Sequence, residues 1–209
     1  MRTRTLFAAL AFAAATPLAA APFVASQDAG LPGTADVSRV VAGTYDLDSG
    51  HSYAHWTVNH MGFTPLDGMF GNATGTLTID PESPEDASVD VTFDMTGFTT
   101  HTEAFTNHLK SEDFFNVAEF PTARFVSTAV EVDGTTAEVT GDLTIHGVTK
   151  SVTLDTEFFG AGANPMNKKL NIGFTGTTTI KRSDFGLGYA VPVVTDEVEL
   201  KIVAAFVKQ

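Results

Sequence analysis

Residues 139–154 read VTGDLTIHGVTKSVTL and constrain the fold more than any other stretch. Val139, Leu143 and Ile145 share one parity before His146-Gly147, and Val148, Val152 and Leu154 share another after it. Two alternating runs joined at a glycine read as a β-hairpin, each strand with one buried face and one wet face. The rest of the chain has to supply the strands that this hairpin closes against.

The same period of two recurs along the sequence. Ala54, Trp56, Val58 and His60 alternate with Tyr53, His55, Thr57 and Asn59, and the first set makes the inward face. Residues 68–80 read as one long strand, with Gly71 and Gly75 marking bends or bulges. Val89, Val91, Phe93 and Met95 alternate next, and a further strand runs from about residue 120 to the Asp133-Gly134 turn. Ile172, Phe174 and Ile180 mark another, and Val198, Leu200, Ile202, Ala204 and Phe206 the last. Residues 101–116 break the period. They predict a short helix capped by Thr100 or Thr102, and a second one starting at Ser111. About eight strands with short connections predict an all-β chain: a single closed antiparallel barrel, since closure removes free edges. Such a barrel is either filled by its own side chains or holds one small ligand.

The beginning of the chain belongs to a different class. A basic start and the apolar run LFAALAFAAATPLAAA predict a signal peptide over residues 1–26. A flexible lead-in over residues 27–42 and one domain over residues 43–209 follow. The expected location is periplasmic or secreted, with no integral membrane span once the signal is removed. The 209 residues include no cysteine, so stability has to come from the core. A formal charge of −13 argues against nucleic acid as a partner. Seventeen Phe against three Tyr and one Trp predict a large dry interior, because Phe has no polar handle to keep wet.

Five pieces, in this order and spacing, resemble the YceI family: YDLDSGHSYAHWTVNHMG, GMF, HLKSEDFFNVAEFPTARFVS, GDLTIHGVTKSVTL and KRSDFGLG. The resemblance spans residues 45–208. It implies an exported, lipocalin-like barrel with a long apolar tunnel, holding a polyisoprenoid or other long-chain amphiphilic lipid with its polar head near one end. Many members carry an Arg-Asp pair where this chain has Thr106-Asn107.

The expected lining is Trp56, Val58, Phe70, Phe93, Phe125, Leu143, Leu154 and Phe174, with Phe105, Leu109 and Phe115 closing one mouth. Without the resemblance, these residues fit a filled core as well as a cavity. Lys150 shares the inward parity with Val148 and Val152, and Arg182 and Arg124 are further isolated cations; one of them could meet an anionic head group. The alternatives are a solvent-facing rim position for Lys150 and an ion pair with Asp184 or a neighbouring acid for Arg182. Six histidines invite an enzymatic or metal reading. Yet His51 and His55 lie about 13 Å apart along a strand, too far to share a metal. His60, on the apolar parity, is a core residue or a ligand contact and the one visible acid–base candidate. No nucleophile elbow, phosphate loop or cofactor motif is present. The chain is therefore expected to be a binding protein without catalytic residues, metal or cofactor. An enzyme acting on a small hydrophobic or lipid substrate inside the barrel, a filled structural or partner-binding module, and a homodimer all stay open.

Overall fold

The computed structural model describes residues 30–209. Its strands are β1 (Gly43–Leu47), β2 (Tyr53–His60), β3 (Thr64–Phe70), β4 (Ala73–Ile79), β5 (Ser88–Asp94), β6 (Thr99–Thr100), β7 (Thr122–Asp133), β8 (Thr136–Ile145), β9 (Val148–Ala163), β10 (Leu170–Lys181) and β11 (Glu197–Lys208). One α-helix, α1 (Glu103–Lys110), interrupts them. The ring order is β1-β4-β5-β7-β8-β9-β10-β11, and β11 pairs back onto β1, so eight antiparallel strands close a barrel.

The remaining segments β2, β3 and β6 continue β1, β4 and β5 beyond three breaks. At the first, Ser52 Oγ donates to Ala205 O and accepts from Ala205 N, standing in for a missing backbone rung. This lets β11 pair with β1 at one end and β2 at the other. The second break corrects the single strand expected over residues 68–80. The chain parts at Gly71-Asn72, where Asn72 takes the left-handed conformation with φ 51°. Gly75 remains inside β4, and a Cβ there would overlap the Asp90 carbonyl of β5. At the third, Asp94 caps a 3-10 turn by accepting from Thr96 N and Thr96 Oγ.

The β8–β9 hairpin has the register that its alternation dictates: Ile145 faces Val148, with His146 and Gly147 both at positive φ. That is the turn whose twist matches flanking strands. A side chain at Gly147 would collide with the Phe120 ring, which lies 4.5 Å from the His146 ring.

Helix α1 is capped by Thr102, whose Oγ accepts from Phe105 N. The second helix expected from Ser111 does not form; Ser111 instead ends α1 and donates its Oγ to His108 O. Strand β6 pairs with β3 alone, and Phe105, Leu109, Phe114 and Phe115 pack with fully buried Phe98 at that end of the barrel. Thr106, in place of the family's charge pair, bonds Thr100 N and Thr100 Oγ at 2.9 Å each.

The expected signal peptide lies outside the described residues. The flexible lead-in expected over residues 27–42 needs correction from Thr34 on: Thr34 bridges Ala161 of β9, Arg39 donates to Thr34 Oγ1, and Val40 is buried in the core. One core cluster lies at this end, with Tyr45, Leu77, Phe158, Ile172 and Phe206. The other lies under α1, with Trp56, Val58, Phe98, Leu109 and Val198.

Surface carboxylates add a pH dependence. Hydrogen bonds from Arg124 hold Asp90 below its ordinary value of 3.8, and those from Thr96 and Ser183 do the same for Asp94 and Asp196. A carboxylate whose folded pKa is depressed contributes stability above its unfolded value and loses it as pH falls through the folded one. The thermal midpoint is therefore expected to fall with acidification below about pH 4. A midpoint followed by circular dichroism that stays flat or rises down to about pH 2 would refute this.

Candidate functional site: an apolar tunnel through the barrel

Inward positions of the ring strands alternate with wet ones, so the inner faces have to bury apolar side chains against each other or leave room. They leave room. A cavity of about 910 Å³ runs from Val37, Val40, Pro84 and Val132 at the lead-in end to Phe105, Leu109, Tyr189 and Val194 at the α1 end. That volume is at the upper end of small-ligand sites.

Trp56, Val58, His60, Phe70, Phe93, Phe105, Leu109, Phe115, Phe125, Leu143, Leu154, Phe174 and Arg182 all border this cavity. They come from seven strands, from α1 and the turn after it, and from the corner after β10. Lys150 does not border it. It faces Leu143 across the β8–β9 ladder, hence on the inner side, but it lies at the rim and is exposed to water. Its inward parity is as expected; the long side chain carries its ammonium out to solvent.

Two aromatic walls rest on glycines. Trp56 pairs with Gly68 across β2 and β3, and a Cβ at Gly68 would lie 2.6 Å from the indole. Likewise, a Cβ at Gly141 of β8 would lie 2.5 Å from the Phe125 ring. Missing side chains thus let both rings lie against the barrel wall rather than across the lumen. Trp56 also stacks on Phe98 with centroids 6.0 Å apart. Its Nε1 is the buried side-chain polar atom left without a hydrogen-bond partner among the described residues, so apolar packing decides where the ring lies.

Polar groups in the lining are few and mostly committed. Arg182 is 8% exposed. Its Nε donates to Thr195 O, its Nη1 to Leu187 O and Tyr189 O, and its Nη2 to Val194 O. Backbone carbonyls, rather than Asp184, hold the guanidinium, and Asp196 is the neighbouring acid that acts on its charge. The guanidinium is a clamp that holds residues 187–195 across the α1 end, leaving one Nη2 N–H unspent. Burial pushes its pKa below the ordinary arginine value, and Asp196 acts the other way. Arg124, the other cation considered, pairs with Asp90 on the wet face. His60 and His108 border the cavity at the α1 end. The remaining histidines have local partners: His51 meets Asp48, His55 meets Asp67, and the His101 ring contacts Phe105. No group of three His, Cys, Asp or Glu able to hold a metal occurs among the described residues.

Periodicity missed Tyr189 and Val194, because residues 186–196 carry no repeat. It could have found Leu77, Val89 and Phe158, which continue inward parities already visible.

Comparisons with known proteins agree with this architecture. The model of the YceI-like domain matches residues 45–206. Protein YceI of Escherichia coli O17:K52:H18 is 37% identical over 171 residues, covering 81% of this chain and 89% of that protein. Among solved structures, Burkholderia cenocepacia BcnA superposes with a TM-score of 0.68 at 27% identity, over 76% of this chain and 98% of that one. A polyisoprenoid binding domain from Saccharophagus degradans, implicated in plant cell wall breakdown, shares the fold with a TM-score of 0.59 at 14% identity, over 79% of this chain and 98% of that one. With a sequence match that runs from β1 to β11 and takes in nearly the whole ring, the chain belongs to the YceI-like family.

Proposed function

We propose that this chain binds a long-chain amphiphile, a polyisoprenoid or fatty-acid-like lipid, and serves as an exported carrier, store or scavenger. The observation that carries the reading is the cavity of about 910 Å³, continuous along the barrel and walled almost wholly by apolar side chains. The polyisoprenoid-binding domain that shares the fold supports the choice of ligand class. Each methylene moved from water into such a lumen contributes about 0.8 kcal/mol, so ten give about 8 kcal/mol, equivalent to micromolar affinity before the costs of association. Binding then needs little polar recognition. The chain lies along Phe70, Phe93, Phe125 and Phe174, with its head at the α1 end beside His60, His108 and Tyr189. On this reading the protein is a binding protein rather than an enzyme, with residues 1–26 serving export and residues 43–209 forming the binding domain.

Native mass spectrometry of the purified protein, followed by lipid extraction, tests this. The expected result is a consistent adduct that extracts as a long-chain amphiphile. A protein that stays empty and rejects every long-chain probe overturns the reading.

A further inference from the structure

Two uncharged stretches meet at one mouth of the tunnel. Residues 61–66 (MGFTPL) and 186–195 (GLGYAVPVVT) contain no charged side chain, in a chain whose formal charge is −13. They are joined by backbone bonds: Met61 N donates to Val193 O, and Thr195 N donates to Asn59 O. Four of their large apolar side chains point to solvent. Phe63 is 81% exposed, Val193 56%, Tyr189 52% and Met61 49%. A tight turn does not require phenylalanine at such a position, and clustered exposed apolar groups mark interaction surfaces.

We propose that this collar docks the mouth of the tunnel onto the surface of a lipid bilayer. The occupant is a bilayer, because the collar is continuous with the lumen: Met61, Tyr189 and Ala190 border the cavity as well as the outside. A protein partner seated there would stopper the tunnel, whereas an acyl-chain medium extends the apolar path along which a long chain enters or leaves. Charge distribution points the same way. The opposite end carries Asp80, Glu82, Glu85 and Asp86 in one turn, and Glu131, Asp133, Glu138, Asp155 and Glu157 around a shallow depression. That acidic end is repelled by anionic head groups and turns the collar toward the membrane. Acids flank the collar at Asp67, Asp184 and Asp196, and at Asp113, which pairs with the His108 that contacts Tyr189, and no cation lies within the two stretches, so its contact is apolar insertion rather than electrostatic adsorption.

This inference rests on the tunnel holding an apolar chain, and the test separates the two. Phe63 and Val193 lie outside the cavity lining, so the double variant Phe63→Ser/Val193→Ser is expected to retain its ligand by native mass spectrometry and its thermal midpoint. Flotation with phosphatidylcholine vesicles is expected to show a loss of partitioning of about tenfold or more relative to the unaltered full chain. Met166→Ser, which removes an 89% exposed methionine from the β9–β10 loop at the other end, is expected to change nothing. Equal partitioning of the double variant overturns the docking surface. So does an equal loss with Met166→Ser. Self-association by sedimentation that vanishes in the double variant, without vesicle binding in either protein, also overturns it and assigns the collar to a second copy. An empty tunnel in every variant refutes the ligand reading instead.

Discussion

Arg182→Met is expected to lower the thermal midpoint by about 6–12 °C. The guanidinium donates to the carbonyls of Leu187, Tyr189, Val194 and Thr195 from a nearly buried position. Hydrogen bonds from a charged donor contribute about 1.5–3 kcal/mol each, and carbonyls left dry carry a further penalty. Some of the four will find water once the loop moves, so a net loss of about 3 kcal/mol is the appropriate scale, and each kcal/mol moves a domain of this size by about 2–4 °C. Arg182→Lys is not expected to rescue the loss, because one ammonium cannot reproduce a planar fork reaching four acceptors. The same variants should release a bound long-chain probe faster, since residues 187–195 cover the α1 end. A midpoint within about 2 °C of the unaltered protein would show that the clamp carries no weight.

Gly68→Ala is expected to weaken long-chain binding by about tenfold or more. A Cβ at this position lies 2.6 Å from the Trp56 indole, which also stacks on Phe98. The ring therefore has to tilt into the lumen. Displacing two or three methylenes of a bound chain removes about 1.6–2.4 kcal/mol, and the overpacking itself lowers stability by about 1–3 kcal/mol. Gly141→Ala should act likewise through Phe125, which a Cβ there would approach to 2.5 Å. The two sites lie on different walls, so their effects on affinity should add. Titration with a fluorescent fatty acid, alongside thermal unfolding, checks both. Full affinity in Gly68→Ala would mean that the lumen does not depend on the ring lying against its wall.

Strand segments were legible where one face is dry and the other wet, since alternation records that asymmetry directly. The β8–β9 hairpin, the inner face of β2 and the last strand follow from residue parity alone. The count of eight ring strands follows too, although the chain is cut into eleven segments. The cuts were harder to see. Residues 68–80 read as one run rich in Thr and Gly, yet the inward parity switches across Gly71-Asn72, from Phe70 to Ala73, Leu77 and Ile79, where Asn72 adopts φ 51°. Ser111 carries a helix-capping side chain, but it is the chain's path back to β7 that decides that it ends a helix rather than starting one. Lys150 shows the limit of parity. The period assigns it an inner face correctly and cannot say that its long side chain leaves that face for water.

An antiparallel ring with an interior of phenylalanine follows from residue order alone, because side-chain alternation and hydrophobicity are local properties. Whether that interior is filled or open is a different kind of quantity, a difference between wall circumference and side-chain volume summed over eight strands. The closed barrel leaves the interior open, by seating Trp56 over Gly68 and Phe125 over Gly141. The role of Arg182 was likewise out of reach. Its four acceptors lie in a segment without periodicity, and only the closed fold brings their carbonyls around one guanidinium.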